Sequence, residues 1–90
     1  MTLILNKTVE TFPRHFVIDS PTPLTRLNRL SEHCGIDLWV KRDDLAGLTF
    51  GGNKPRQLEY YFGAALAENA DTILITGATQ SNFVRMAAAV

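Results

Sequence analysis

Hydrophobic and polar positions along this chain fall into blocks that predict three helices and two strands. Leu24, Leu27 and Leu30 recur at helical spacing, which predicts a short helix over 24–34. Gly35 stands where a left-handed helix end favours a residue without a Cβ. Leu38 and Val40 alternate with Trp39 and Lys41, predicting a strand over 37–42 with Trp39 in the core. A glycine-bearing loop follows over 43–53. Leu58, Tyr61, Phe62, Ala65 and Leu66 form the apolar stripe of a helix predicted over 55–69, with Tyr60 beside the stripe and also expected to pack. Pro55 opens that helix, where its missing N–H would be unpaired anyway. The run Ile73, Leu74, Ile75 predicts a buried strand over 71–76, of the kind found in a parallel sheet covered on both faces. A tight loop over 77–81 leads to a last helix starting near Asn82. Residues 1–23, interrupted by Pro13, Pro21 and Pro23, are expected to be irregular or weakly extended. The order helix, strand, helix, strand, helix is α/β alternation, with the loops after the strands as the expected ligand side.

Composition narrows the function. Ninety residues allow at most one small domain. With 46% hydrophobic residues, 20% charged residues and a formal net charge of zero, the chain is globular and is not expected to read nucleic acid. Cys34 is the only cysteine, so an internal disulfide is excluded and a reducing, cytoplasmic setting is expected. No second Cys/His pair joins His33 and Cys34 at metal-ligand spacing, and no metal is expected. No apolar run approaches a membrane span, and the first seven residues lack the pattern of a secretory signal. The end, Arg85 to Val90, is helix material without a glycine or proline stop. Residues 1–90 are therefore expected to be the N-terminal piece of a longer protein with no complete domain boundary. The alternative is a naturally short protein whose last helix docks on a partner.

Two polar clusters carry the candidate chemistry. Gly51-Gly52-Asn53-Lys54 sets a lysine on a glycine-softened turn just before a helix. The glycines allow a flat group to come close to the backbone. At the positive end of the following helix another positive charge is disfavoured, and a lysine placed there suits Schiff-base chemistry with an aldehyde. The plain alternative is a surface turn with a solvated lysine. Thr79-Gln80-Ser81-Asn82 follows an apolar run and opens a helix, so its backbone N–H groups can hold a carboxylate or phosphate. Ser81 can equally be an N-cap, and the two readings are compatible. Asp43 and Asp44 could serve acid–base work or a metal, or pair with Lys41, Arg42 or Arg56. No Walker A, G-x-G-x-x-G or G-x-S-x-G motif is present.

In order and spacing, Lys41-Arg42-Asp43-Asp44, the stretch from Gly51 to Glu59, the stretch from Ala70 to Thr76, and Gln80-Ser81-Asn82 resemble one family. It is the D-cysteine desulfhydrase and 1-aminocyclopropane-1-carboxylate (ACC) deaminase family of pyridoxal-phosphate enzymes. Pro21-Thr22-Pro23-Leu24 also fits, and the resemblance runs from about Phe12 to Val90. It implies the N-terminal part of a tryptophan synthase β-like (fold type II) enzyme, an incomplete parallel sheet with flanking helices. It implies pyridoxal 5′-phosphate as cofactor, Lys54 as the Schiff-base and proton-moving lysine, and Asn82 as the hydrogen-bond partner of the ring oxygen. Gln80, Ser81 and Asn82 are implied as substrate-binding residues, Ser81 being also catalytic in ring opening. The implied activity is α,β-elimination from D-cysteine or a related small amino acid, giving pyruvate and ammonia, with ACC ring opening as the nearest alternative. A homodimer is implied; that no membrane or nucleic-acid partner is expected rests instead on the charge balance and the lack of a long apolar run. The chain departs from the pattern at Pro55, at Gln57, where a basic residue is usual, and at Phe83, where histidine or glutamine is usual. The glycine-rich phosphate loop and the partner of the pyridine nitrogen are expected beyond Val90. A reading from another class is that the 90-residue product is a catalytically inactive truncated fragment or docking module.

Overall fold

The computed structural model describes residues 8–19, 21–47 and 50–90. Residues 1–7 and 20 of the irregular opening, and 48–49 of the loop over 43–53, lie outside the described residues. Residues 8–10 are helical rather than irregular, and 13–19 run without regular structure. Strand β1 (Leu24–Arg26), helix α1 (Asn28–Cys34), strand β2 (Trp39–Lys41), a 3₁₀ turn (Asp43–Leu45) and helices α2 (Lys54–Ala67) and α3 (Asn82–Ala89) follow.

The stretch expected to be one helix over 24–34 divides into a strand and a shorter helix. β1 pairs antiparallel with β2 in the register Leu24 to Lys41, Thr25 to Val40 and Arg26 to Trp39. Its N-terminal neighbour Pro23 disfavours helix for the residue before it and cannot donate, while its carbonyl accepts the Arg42 N–H at 2.8 Å. At the other end, Arg26 forks onto Asp37 at 2.8 and 2.9 Å, and the Leu27 N–H reaches the Leu38 carbonyl. These bonds to the segment over 37–42 outweigh the helical spacing of the leucines, all three of which stay exposed. Gly35 ends α1 as expected, with φ of 68°. Buried Ser31 ties α1 to β2 by accepting the Leu38 N–H at 3.0 Å.

Trp39 does not enter the core. It is 53% exposed, because its half-buried neighbours are Leu38, just before β2, and Val40 within it, and extended chain turns alternate side chains to opposite faces. The expected strand over 71–76 is also absent. Residues 72–78 have no regular structure, Leu74 is 90% exposed, and only Ile75 is half-buried. A strand needs a neighbouring backbone to complete its hydrogen bonds, and no described segment pairs with this one. The sheet among the described residues is the antiparallel β1–β2 pair.

The core lies between α2 and α3. Leu58, Met86 and Ala87 are buried there, with Phe62, Ile75, Phe83 and Val90 packed around them. Of the predicted α2 stripe, Leu58 is buried, Phe62 and Ala65 are half-buried, and Tyr61 and Leu66 are exposed. A second buried line runs Pro55, Glu59, Gly63, at four-residue spacing. Across it lie residues 13–18. A Cβ at Gly63 would run into the Pro13 backbone. The His15 N–H donates to the Glu59 carbonyl at 2.8 Å, and the Val17 and Ile18 N–H groups donate to Glu59 Oε1 at 3.0 and 2.9 Å. Arg14 donates to Oε2 at 2.6 Å, with its guanidinium carbon 4.4 Å from the Phe16 ring centre and 5.6 Å from that of half-buried Tyr60.

Burial works against a charged Glu59 carboxyl, but the Ile18 and Val17 N–H groups and Arg14 outweigh it and hold the carboxyl below its ordinary 4.5. A group lowered in the folded state lends stability above its unfolded pKa, and that stability is lost as pH falls through the folded value. The strap over 13–18 is thus expected to stay docked at neutral pH and to loosen progressively below about pH 4.5. Amide NMR shifts of Val17 and Ile18 through an acid titration check this, and Glu59→Gln should remove the acid-dependent part.

Candidate active site

The lysine turn is pressed between two other elements. Gly51 and Gly52 have φ of 79° and 111°, a region that side chains other than glycine seldom adopt. Gly51 is buried, and a Cβ there would overlap the Asp44 carbonyl. A Cβ at Gly52 would stand 3.1 Å from Met86 Cε on α3. The close approach these glycines permit is therefore to the protein's own 3₁₀ turn and to α3. Lys54 is the first residue of α2, with Pro55 fully buried behind it. The Lys54 side chain is half-buried and has no hydrogen-bond or ionic partner among the described residues.

The second cluster opens α3. Ser81 is its N-cap, with extended backbone, and its Oγ accepts the Val84 N–H at 3.2 Å. That bond uses the oxygen as acceptor, so the hydroxyl proton remains to be donated. The Asn82 and Phe83 N–H groups stand open at the helix start. Gln80 and Asn82 are exposed, and their side-chain amides have no partner among the described residues. Gly77 lies tight beneath the cap, where a Cβ would be 2.7 Å from Val84 Cγ2 and 3.4 Å from Ser81 Oγ. Met86, which touches the lysine turn, follows Asn82 by one helical turn, about 6 Å along the axis. The turn that carries Lys54 therefore lies against the helix that Ser81 and Asn82 open.

Phe83 faces away from this polar neighbourhood. Its ring meets Tyr61 edge-on, with centres 6.0 Å apart, and joins the core. With Leu58, Phe62 and Ile73 it lines an apolar cavity of about 400 Å³ to which Lys54, Ser81 and Asn82 contribute nothing. Position 83, one of the three departures from the family pattern, is thus filled by a packing side chain.

The paired carboxylates are engaged structurally. Asp44 pairs with Arg42 at the surface, and Asp43 binds Arg56 and Thr22. The Arg56 hydrogen bonds hold the Asp43 carboxyl below its usual range. Among the described residues no group of three or more His, Cys, Asp or Glu is placed to hold a metal, and no helix is long and apolar enough to cross a membrane. Sequence reasoning missed Thr22 and Glu59. The signal for Glu59 was present in Pro55 and Gly63, one turn to either side, which mark a face where another backbone comes close.

A lysine without a partner among the described residues, on a double-glycine turn against α3, and open N–H groups at the start of α3 are groups that Schiff-base chemistry can use. The chain belongs to the pyridoxal-phosphate-dependent enzymes: the family profile described as "Pyridoxal-phosphate dependent enzyme" matches residues 17–90. Within that class it is similar to D-cysteine desulfhydrase of Klebsiella pneumoniae subsp. pneumoniae, 53% identical over 79 residues, which are 88% of this chain and 24% of that protein. D-cysteine desulfhydrase of Salmonella newport is 51% identical over the same length. A solved crystal structure of an ACC deaminase homologue matches with a TM-score of 0.82 and 41% identity, over 92% of this chain and 26% of that one. These likenesses bear out the α/β, fold type II expectation and the family's cofactor, pyridoxal phosphate. The chain spans about a quarter of the length of the relatives it matches. Its residues fit the cofactor in chemistry: a primary amine for the aldehyde, a free amide for the ring oxygen, and an N-terminal donor set for an anion.

Proposed function

We propose that the protein carrying this chain is a pyridoxal-phosphate-dependent lyase that acts on D-cysteine or a related small amino acid by α,β-elimination. D-Cysteine and water would give pyruvate, ammonia and hydrogen sulfide. The observation that supports this most is the Lys54 side chain, half-buried and without a partner among the described residues, beside a turn that touches α3. When bound, pyridoxal phosphate supplies the electron sink for bond breaking at the substrate's α-carbon. Lys54 would hold the cofactor through its aldehyde and, once displaced by substrate, move the proton at the α-carbon. Asn82 would donate its amide to the ring oxygen. Ser81, through its free hydroxyl proton, would bind the substrate carboxylate together with the N–H groups of the α3 start and Gln80. We also place the enzyme in the cytoplasm, as a homodimer.

A second reading is ring opening of ACC, which with water would give 2-oxobutanoate and ammonia, with Ser81 taking part. The structural likeness to an ACC deaminase homologue favours it. Assaying the intact protein with D-cysteine, L-cysteine and ACC separates the two. Pyruvate from D-cysteine is the expected product. 2-Oxobutanoate from ACC would favour the deaminase, and no oxo acid from any of them would sink both readings.

A further inference from the structure

One residue grips the chain on both sides of Lys54. Two residues ahead of the lysine, the Gly52 N–H donates to the Asp43 carbonyl at 2.7 Å. Two residues after it, Arg56 forks onto the Asp43 carboxylate, with Nε 3.0 Å from both oxygens and Nη2 2.8 Å from Oδ1. Buried Thr22 closes the ring, its hydroxyl donating to Asp43 Oδ1 at 3.2 Å and accepting Arg56 Nη2 at 2.8 Å. Thr22 is anchored in turn, since its carbonyl accepts Lys41 Nζ. The neighbouring Arg42–Asp44 pair makes a useful contrast. It is also forked, at 2.9 and 2.8 Å, but it joins residues two apart and reaches no other element. Such an exposed local pair contributes little, whereas the Asp43 pair is bidentate, partly buried and spans thirteen residues.

We infer that Asp43 is a positioning residue: through Gly52, Arg56 and Thr22 it fixes the main chain over 52–56 and so aims the Lys54 amine. This rests on the reading of Lys54 as the cofactor lysine. Asp43 need not touch the cofactor. A Schiff base forms only when the amine is presented to the aldehyde carbon, and small misplacement of a reacting group slows a reaction steeply.

The test compares Asp43→Asn with Asp44→Asn in the intact protein, at a temperature where circular dichroism shows both folded. Without cofactor, hydrogen exchange of the amides over 51–56 is read by mass spectrometry. With pyridoxal phosphate, the rate of borohydride trapping at Lys54 is read against the other lysines. Asp43→Asn should speed exchange and slow trapping at Lys54, each by about tenfold, the scale of one charge-assisted hydrogen bond. Arg56→Lys, which keeps the charge and loses the fork, should behave similarly. Asp44→Asn should change neither by more than about twofold. Unaltered exchange and trapping in folded Asp43→Asn overturn the inference. So does faster exchange with unaltered trapping, which leaves Asp43 a structural residue only. Should Asp43→Asn not fold, Thr22→Val, which removes only the bridging hydroxyl, is judged by the same outcomes. An unsubstituted protein that traps no cofactor at Lys54 overturns the cofactor reading instead, and exchange alone then decides the clamp.

Discussion

Lys54→Ala is expected to abolish covalent attachment of pyridoxal phosphate and to lower turnover of D-cysteine by about 10²–10⁴-fold or more, the usual contribution of a placed acid–base group. The substitution should leave the fold intact, because the side chain has no described partner to lose and alanine is the best helix former at the start of α2. Two measurements check this together: the mass of the borohydride-reduced protein and its thermal midpoint. Loss of the adduct with an unchanged midpoint is the predicted pair. An adduct that persists in the variant would move the Schiff base to another lysine and remove the proposed role of this one.

Glu59→Ala is expected to be strongly destabilising, at roughly 2–5 kcal/mol, because it removes a buried carboxylate and strands the two N–H donors that point at it. The Val17 and Ile18 N–H groups would both lose their acceptor, and Arg14 its carboxylate. Glu59→Gln should cost less, since the amide oxygen can still accept while the charge is gone. Chemical denaturation of the two variants beside the unsubstituted protein checks the order. Equal stability of all three would mean that the strap contributes nothing to the fold.

The elements that were legible in the sequence are those whose cause is local. Pro55 marked the start of α2, Gly35 the end of α1 and Ser81 the start of α3, each through a backbone rule that acts within one turn. Elements that depend on distant partners were misread. Leu24, Leu27 and Leu30 have helical spacing, but the bonds that make residues 24–26 a strand come from across the chain. Ile73, Leu74 and Ile75 have strand composition, yet no described neighbour completes their hydrogen bonds. The candidate site divides the same way. Lys54, Ser81 and Asn82 stood out by residue type and by place at helix starts. Of the Asp43–Arg56–Thr22 ring, the pairing of Asp43 with Arg56 was among the readings the sequence offered, whereas Thr22, from a third segment, was not.

The strap over 13–18 also bears on how the chain folds. Its bonds to Glu59 join residues 41 to 45 apart in sequence, whereas the β1–β2 register joins residues 13 to 17 apart. Closing the longer loop costs more chain entropy before any contact rewards it, so the strap is expected to dock after the β1–β2 pair and α2 have formed. Interactions absent from the folding transition state govern the unfolding rate. Damage at Arg14 or Glu59 should therefore shorten the lifetime of the folded protein while leaving its folding rate nearly unchanged.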